Sequence, residues 1–213
     1  MKGITFGEYH SYDDLSLILN SKEIEAPEPK TEIINVPGGD GELDFTEFSG
    51  SVRYKNRKLT FEFSYIGAQS TFMNEFSAVQ NAIHGKKMKI TLDDDPNFYY
   101  VGRCTVNKWK ADKNVGKITV EASCEPYKYK QLVTTVTQDV STSGTVSLSN
   151  LKRSVVPKIS TTAAITIAWT GGSASLAAGN DQIVPELVLR AGTTEITVTG
   201  TATVTFKYQE GEL

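Results

Sequence analysis

Between residues 131 and 213, apolar side chains recur at every second position in short runs closed by glycine. A pleated strand satisfies this pattern and a helix does not. Val133 to Thr137, Thr145 to Leu148, Val156 to Ser160, Ile165 to Trp169, Ser173 to Leu176, Ile183 to Leu189, Thr194 to Val198 and Thr203 to Tyr208 all read as strands. Gly144, Gly171 and Gly172, Gly179 with Asn180, Gly192 and Gly200 punctuate them. The abundance of Thr and Val suits a pleated surface. About eight strands without an amphipathic helix specify an all-β sandwich or jelly roll.

Charge divides the chain at the same place. Residues 131–213 hold 11 of the 47 charged side chains, and residues 1–130 hold the rest. The segment Pro126-Tyr127-Lys128-Tyr129-Lys130 therefore reads as a boundary between two domains, 1–130 and 131–213. In the first, Leu59, Phe61, Phe63 and Tyr65 alternate with Thr60, Glu62 and Ser64 as in a half-buried strand. Met88, Ile90 and Leu92 repeat the pattern, Leu15, Leu17 and Leu19 give a weaker version, and Ile33 to Val36 reads as another strand, closed by a tight turn at Gly38-Gly39-Asp40-Gly41. One helix is predicted from Thr71 to His84, on the spacing of Phe72, Phe76, Val79 and Ile83. Ser70 is its expected cap, and Gly85 follows its end. The first domain is thus expected to be α+β, its helix laid across a sheet.

Tyr100, Cys104 and Val106 share parity with Ile118, Val120, Ala122 and Cys124, and the polar segment from Asp112 to Gly116 supplies a turn. A hairpin centred on Asn114 sets Cys104 opposite Cys124. Two small apolar side chains filling one core layer, with free thiols, is the preferred reading over a cross-strand disulfide.

Material for catalysis is scarce. His10 and His84 are the only histidines, too little for a triad or a His-rich metal site, and His84 is expected to complement the helix dipole from the last turn. Asp93-Asp94-Asp95 lacks the spacing of a calcium loop and reads as a solvated turn. Two cysteines match no zinc motif, and the glycines at 38–41 have no phosphate-loop context. A net charge of −3 argues against tight nucleic-acid binding, and the basic run Arg53-Tyr54-Lys55-Asn56-Arg57-Lys58, near Glu42, Asp44, Glu47 and Glu62, reads as a solvated or intersubunit face. No run of apolar residues reaches the length of a membrane span, and the N-terminus lacks the apolar run of a secretion signal. The expectations are no catalytic residues, no cofactor, no metal and no membrane insertion.

The order of landmarks resembles the distal tail protein (Dit) family of siphophages and prophages of Gram-positive bacteria. The similarity is carried by Ala26-Pro27-Glu28-Pro29, by Ile34-Asn35-Val36-Pro37 through Leu43-Asp44, and by Tyr54 to Phe61 leading into an aromatic strand. The helix, the Asp112 to Gly116 turn and Pro126-Tyr127 follow in order. Asn150 with Pro157-Lys158-Ile159, then Leu187 to Gly192, Ile196 to Gly200 and Tyr208 to Leu213 continue it to the end. The resemblance implies a mainly β protein with one helix, in which an N-terminal α+β or β-sandwich ring domain precedes a C-terminal galectin-like all-β sandwich. It implies a structural, non-enzymatic virion component at the tail tip, made in the bacterial host cytoplasm. Six copies would form a homo-hexameric ring joining the tail-tube protein to the tail-tip protein and to receptor-binding components. DNA would only pass through the lumen, where an acidic lining from copies of net charge −3 would prevent adhesion. The alternative is a host-recognition lectin whose C-terminal sandwich binds carbohydrate. Its aromatic candidates are Trp169, Phe206 and Tyr208, and the parity of Trp169 with Ile165 and Ile167 favours a core position.

Overall fold

A computed structural model describes residues 2–48, 50–66, 69–112 and 115–213. Contacts divide the chain into two compact units, 1–128 and 129–213. In the first lie β1 (Ile4–Phe6), β2 (Tyr9–His10), β3 (Ile18–Ile24), β4 (Ile33–Asn35), β5 (Glu42–Asp44), β6 (Arg57–Ile66), α1 (Phe72–Ile83), β7 (Lys87–Leu92), β8 (Phe98–Asp112) and β9 (Val115–Cys124). The main antiparallel sheet runs β2-β1-β7-β8-β9-β6-β3, while β4 and β5 pair only with each other.

Alternation decides which face of that sheet is dry. Leu59, Phe61 and Phe63 of β6, Cys104 and Val106 of β8, and Ile118, Val120, Ala122 and Cys124 of β9 point into one core with Ile4 and Phe6. Each fully buried Leu, Ile, Val or Phe among them contributes about 1.5–3 kcal/mol of transfer free energy. The helix closes the core with Phe72, Val79, Ala82 and Ile83. Phe72 meets Trp109 of β8 edge-on at 5.5 Å, and Phe76 stacks on it at 5.1 Å.

Several details differ from the sequence expectations. The helix is preceded by a 3-10 turn, Gln69–Thr71, so its N-cap is Thr71, without a side-chain cap bond, and not Ser70. Gly85 does adopt positive φ, +75°. Strand β3 begins at Ile18. Leu15 and Leu17 are buried from the loop before it, where Ser16 has φ +53° and the Leu17 N–H donates to Ser11 O. Loop geometry, not pleating, produced that apparent alternation. In the long hairpin, Cys104 faces Ala122 and Cys124 faces Gly102. Asp112 pairs with Val115, and an irregularity between Val106 and Lys108 shifts the register again, so the expected direct Cys104 to Cys124 pairing does not occur. The turn residues Lys113 and Asn114, on which that expectation was centred, lie outside the described residues. Gly102 is where Cys124 needs room: a Cβ there would collide with the Cys124 sulfur.

After β10 (Lys128–Lys130), the second unit contains β11 (Thr134–Val140), β12 (Ser143–Asn150), β13 (Lys158–Thr161), β14 (Ile165–Trp169), β15 (Gly172–Leu176), β16 (Gly179–Ile183), β17 (Gly192–Thr199), β18 (Ala202–Tyr208) and β19 (Gly211–Glu212). Two four-stranded sheets, β11-β18-β13-β16 and β12-β17-β14-β15, contribute to one core. Val146, Leu148, Ile167, Ile196 and Val198 come from one sheet, and Ile159, Val204 and Phe206 from the other. The expected strand from Ile183 to Leu189 ends instead at Ile183. Pro185 has no N–H for a ladder, and the chain turns with the Leu187 N–H bonded to Val184 O before a single bridge joins Leu189 to Val155.

Candidate assembly surfaces

The groups that carry catalysis elsewhere are committed here to the fold. His10 lies between Asp93, 3.1 Å from Nε2, and Asp13, 2.8 Å from Nδ1. His84 is the extended C-cap of α1, and its Nδ1 accepts the Val106 N–H at 3.0 Å. It serves the β8 backbone, contrary to the expected dipole role, while Lys86 Nζ donates to the helix-end carbonyls of Asn81 and Ala82. The three aspartates diverge: Asp93 accepts the Gly3 N–H, Asp94 pairs with Lys22, and Asp95 pairs with Lys128. The lysine bond holds Asp94 below the usual carboxylate range. Among the described residues no cluster of His, Cys, Asp or Glu has the arrangement of a metal site, and no helix is long and apolar enough to cross a membrane. Cys104 and Cys124 are free and buried, and desolvation pushes both thiols up to about 12.

In the basic run Arg53, Lys55, Asn56 and Lys58 are exposed, as a solvated face requires, and Arg57 departs from it. Arg57 is only 7% exposed; its Nε donates to Glu25 O, and its guanidinium lies over the Tyr100 ring. Lys58 pairs with Glu121 and Lys55 with Glu28, none of them the acids nearest in the sequence reading.

In the second unit two polar side chains pin the sandwich. Asn150, 6% exposed, donates through Nδ2 to the carbonyls of Arg153 (2.8 Å), Leu189 (3.0 Å) and Arg190 (3.3 Å), and its Oδ1 has no hydrogen-bond partner. Glu210 accepts from Lys130 Nζ at 2.9 Å and from Thr134. Burial raises the Glu210 pKa, but the bonds from Thr134 and Lys130 outweigh it and hold the carboxyl below its ordinary value. Trp169 packs half-buried against the core and lies across Gly172, where a Cβ would meet its ring at 2.8 Å.

What the first unit leaves open is an arm. Its base continues the β3–β6 ladder: the Glu25 N–H bonds Lys58 O, the Lys55 N–H bonds Glu28 O and the Lys30 N–H bonds Arg53 O. Beyond it, β4 and β5 pair Ile34 with Leu43 and Asn35 with Glu42, and every residue of both strands is exposed. Ile33, Ile34, Val36 and Leu43 stand in solvent, and Phe48 is 85% exposed. A two-stranded hairpin is at best marginally stable alone in water, and exposed apolar clusters of this kind mark contact surfaces. Sequence reading found the strand and its turn but not this exposure, because alternation tells which residues share a face and not whether anything covers it.

No family model and no curated protein matches the sequence. The structure is similar over 100% of its length, and over 100% of the other chain, to the crystal structure of SPP1 Dit (gp 19.1), described as a paradigm of the hub adsorption apparatus in phages infecting Gram-positive bacteria. The TM-score is 0.70 at 16% sequence identity. The chain has the Dit fold. The resemblance read from the order of short motifs is thereby met by the fold, and sequence identity this low explains why no single motif carries it.

Proposed function

We propose that the chain is a structural component of a phage tail, acting as a distal tail hub. Six copies form a ring at the end of the tail tube, with the N-terminal unit building the ring and a galectin-like C-terminal sandwich facing the tail-tip or receptor-binding components. The observation that carries this reading is the full-length similarity to SPP1 Dit. An apolar arm left in solvent supports it, because a closed ring requires heterologous contacts between unlike patches of neighbouring copies. A joint of this kind needs no turnover centre, and the ionisable side chains described above are engaged in structural contacts. Its partners are other copies of itself, the tail-tube protein and the tail-tip protein, with DNA passing through the lumen.

The lectin reading has no observation in its favour: Trp169 is occupied by the core and by Gly172 and offers no open platform. The test is light scattering on the concentrated protein, followed by negative-stain imaging. Six-fold rings are expected; a closed assembly of another order would contradict the proposal.

A further inference from the structure

The first hairpin and the helix of the N-terminal unit leave a cleft of about 500 Å³ between them. Gly7, at φ +63°, reverses the chain so that Phe6 pairs with Tyr9, and this turn sets Glu8 and Tyr9 on one wall. The other wall is the ridge of Ala78 with Asn81 and Ala82, three and four residues further along one face of α1. Two alanines there leave open the space that longer side chains would fill. Asp14 and Leu15, from the loop before β3, complete the lining. Leu15 and Ala82, each 7% exposed, give an aliphatic floor, and Tyr9 remains 40% exposed. The charged groups share one sign. Asp14 Oδ2 accepts the His10 N–H at 2.6 Å, and among the described residues neither Asp14 nor Glu8 forms an ion pair. No described Lys, Arg or His lines the cleft: His10 lies between Asp13 and Asp93, and the Lys86 ammonium is bonded to the Asn81 and Ala82 carbonyls. Asn81 and Ala82 also belong to the last turn of α1, the negative end of its dipole.

We infer that this cleft receives an arginine side chain of a neighbouring tail protein. The methylene stem lies on Ala78, Ala82 and Leu15, the guanidinium stacks on the Tyr9 ring, and its fork reaches the Glu8 and Asp14 carboxylates. A planar guanidinium serves a ring face and two acceptors at once, whereas a lysine ammonium is a strongly hydrated point charge. A cleft with two carboxylates and no base of its own is complementary to a cation, which decides against an acidic or a purely aliphatic occupant. The partner, another protein of the tail, rests on the tail-hub reading; the chemistry of the cleft does not.

The probe is arginine capped at both ends, N-acetyl-arginine amide, titrated into the full-length protein and followed by NMR at the Ala82 methyl and the Asn81 side-chain amide. A Kd of about 1 mM is expected, the scale for a ligand of this size. The neutral isostere N-acetyl-citrulline amide should bind about fivefold more weakly, and Glu8→Gln or Tyr9→Ala should each weaken the arginine probe about threefold. Ala78→Leu, which fills the cleft, should abolish binding. Glu8→Gln alters an exposed turn and carries the test whether or not Ala78→Leu keeps the parent melting temperature. Equal affinity for the arginine and citrulline probes would overturn the assignment. So would tighter binding of N-acetyl-lysine amide or of free arginine, or no shift at Ala82 and Asn81 up to about 10 mM probe. Probe binding needs one chain only, so its failure leaves the tail-hub reading standing, and a ring of another order would leave the cleft chemistry standing.

Discussion

Asn150 offers the sharpest test of how the second unit is held together. Its Nδ2 serves three backbone carbonyls from two separate loops, and its Oδ1 has no hydrogen-bond partner among the described residues. Asn150→Asp keeps the shape and removes the donors. Losing two good neutral hydrogen bonds costs about 2 kcal/mol, and a carboxylate left facing the carbonyl oxygens of Arg153 and Arg190 without a donor adds about 1–3 kcal/mol, for a total near 4 kcal/mol. A new carboxylate facing carbonyl oxygens also has its folded pKa raised above the unfolded value of about 3.9. For a group shifted upward, stability is retained below the unfolded pKa and lost as pH rises through the folded one, so the penalty must grow from pH 4 to pH 8. At low pH the protonated carboxyl donates to one carbonyl and recovers part of the loss. Urea unfolding in a Trp109→Phe background reads the second unit through Trp169 alone. With a slope of about 2 kcal/mol per M, the midpoint should drop by about 2 M at pH 8. A drop below about 0.3 M, or one independent of pH, would refute the reasoning.

Glu210→Gln should lower the stability of the same unit by about 1.5–3 kcal/mol at neutral pH, because bonds to a charged acceptor are lost. The Glu210 pKa is depressed, so its contribution is present above about pH 4.3 and is lost as pH falls through the folded value; acid titration of the variant should therefore be flatter below that point than that of the parent. Gly102→Ala should destabilise the first unit by about 1–3 kcal/mol through overpacking against Cys124 and Ser123, with partial rescue by Cys124→Ala, measured by thermal melting. Both thiols should resist a disulfide reagent in the native protein and react on unfolding, since burial holds them protonated up to about 12; rapid native labelling would contradict this.

Much of the fold is legible in the residues because period-two burial is a direct consequence of pleating. The β6 alternation of Leu59, Phe61 and Phe63 and the β14 alternation of Ile165 and Ile167 could be read at sight. The misreadings share a physical origin. Leu15 and Leu17 mimic a strand because a positive-φ residue between them returns both side chains to the core, and Cys104 and Cys124 share a face as expected but not a register, because the turn register and a later irregularity each displace the ladder by one residue. Arg57 looks like a surface charge until the Glu25 carbonyl and the Tyr100 ring are brought to it from distant positions. The arm was legible as one strand and the turn after it, whereas its pairing with β5 and its isolation from the sheet depend on which strands find partners, a non-local outcome that composition does not encode.

The proposed function is self-association at the end of a tail. A density map of phage tails assembled with this chain tests that claim most directly. Six copies of this fold should surround the tail axis where the tube meets the tip; a tail whose distal joint contains no copy of the chain would contradict the account.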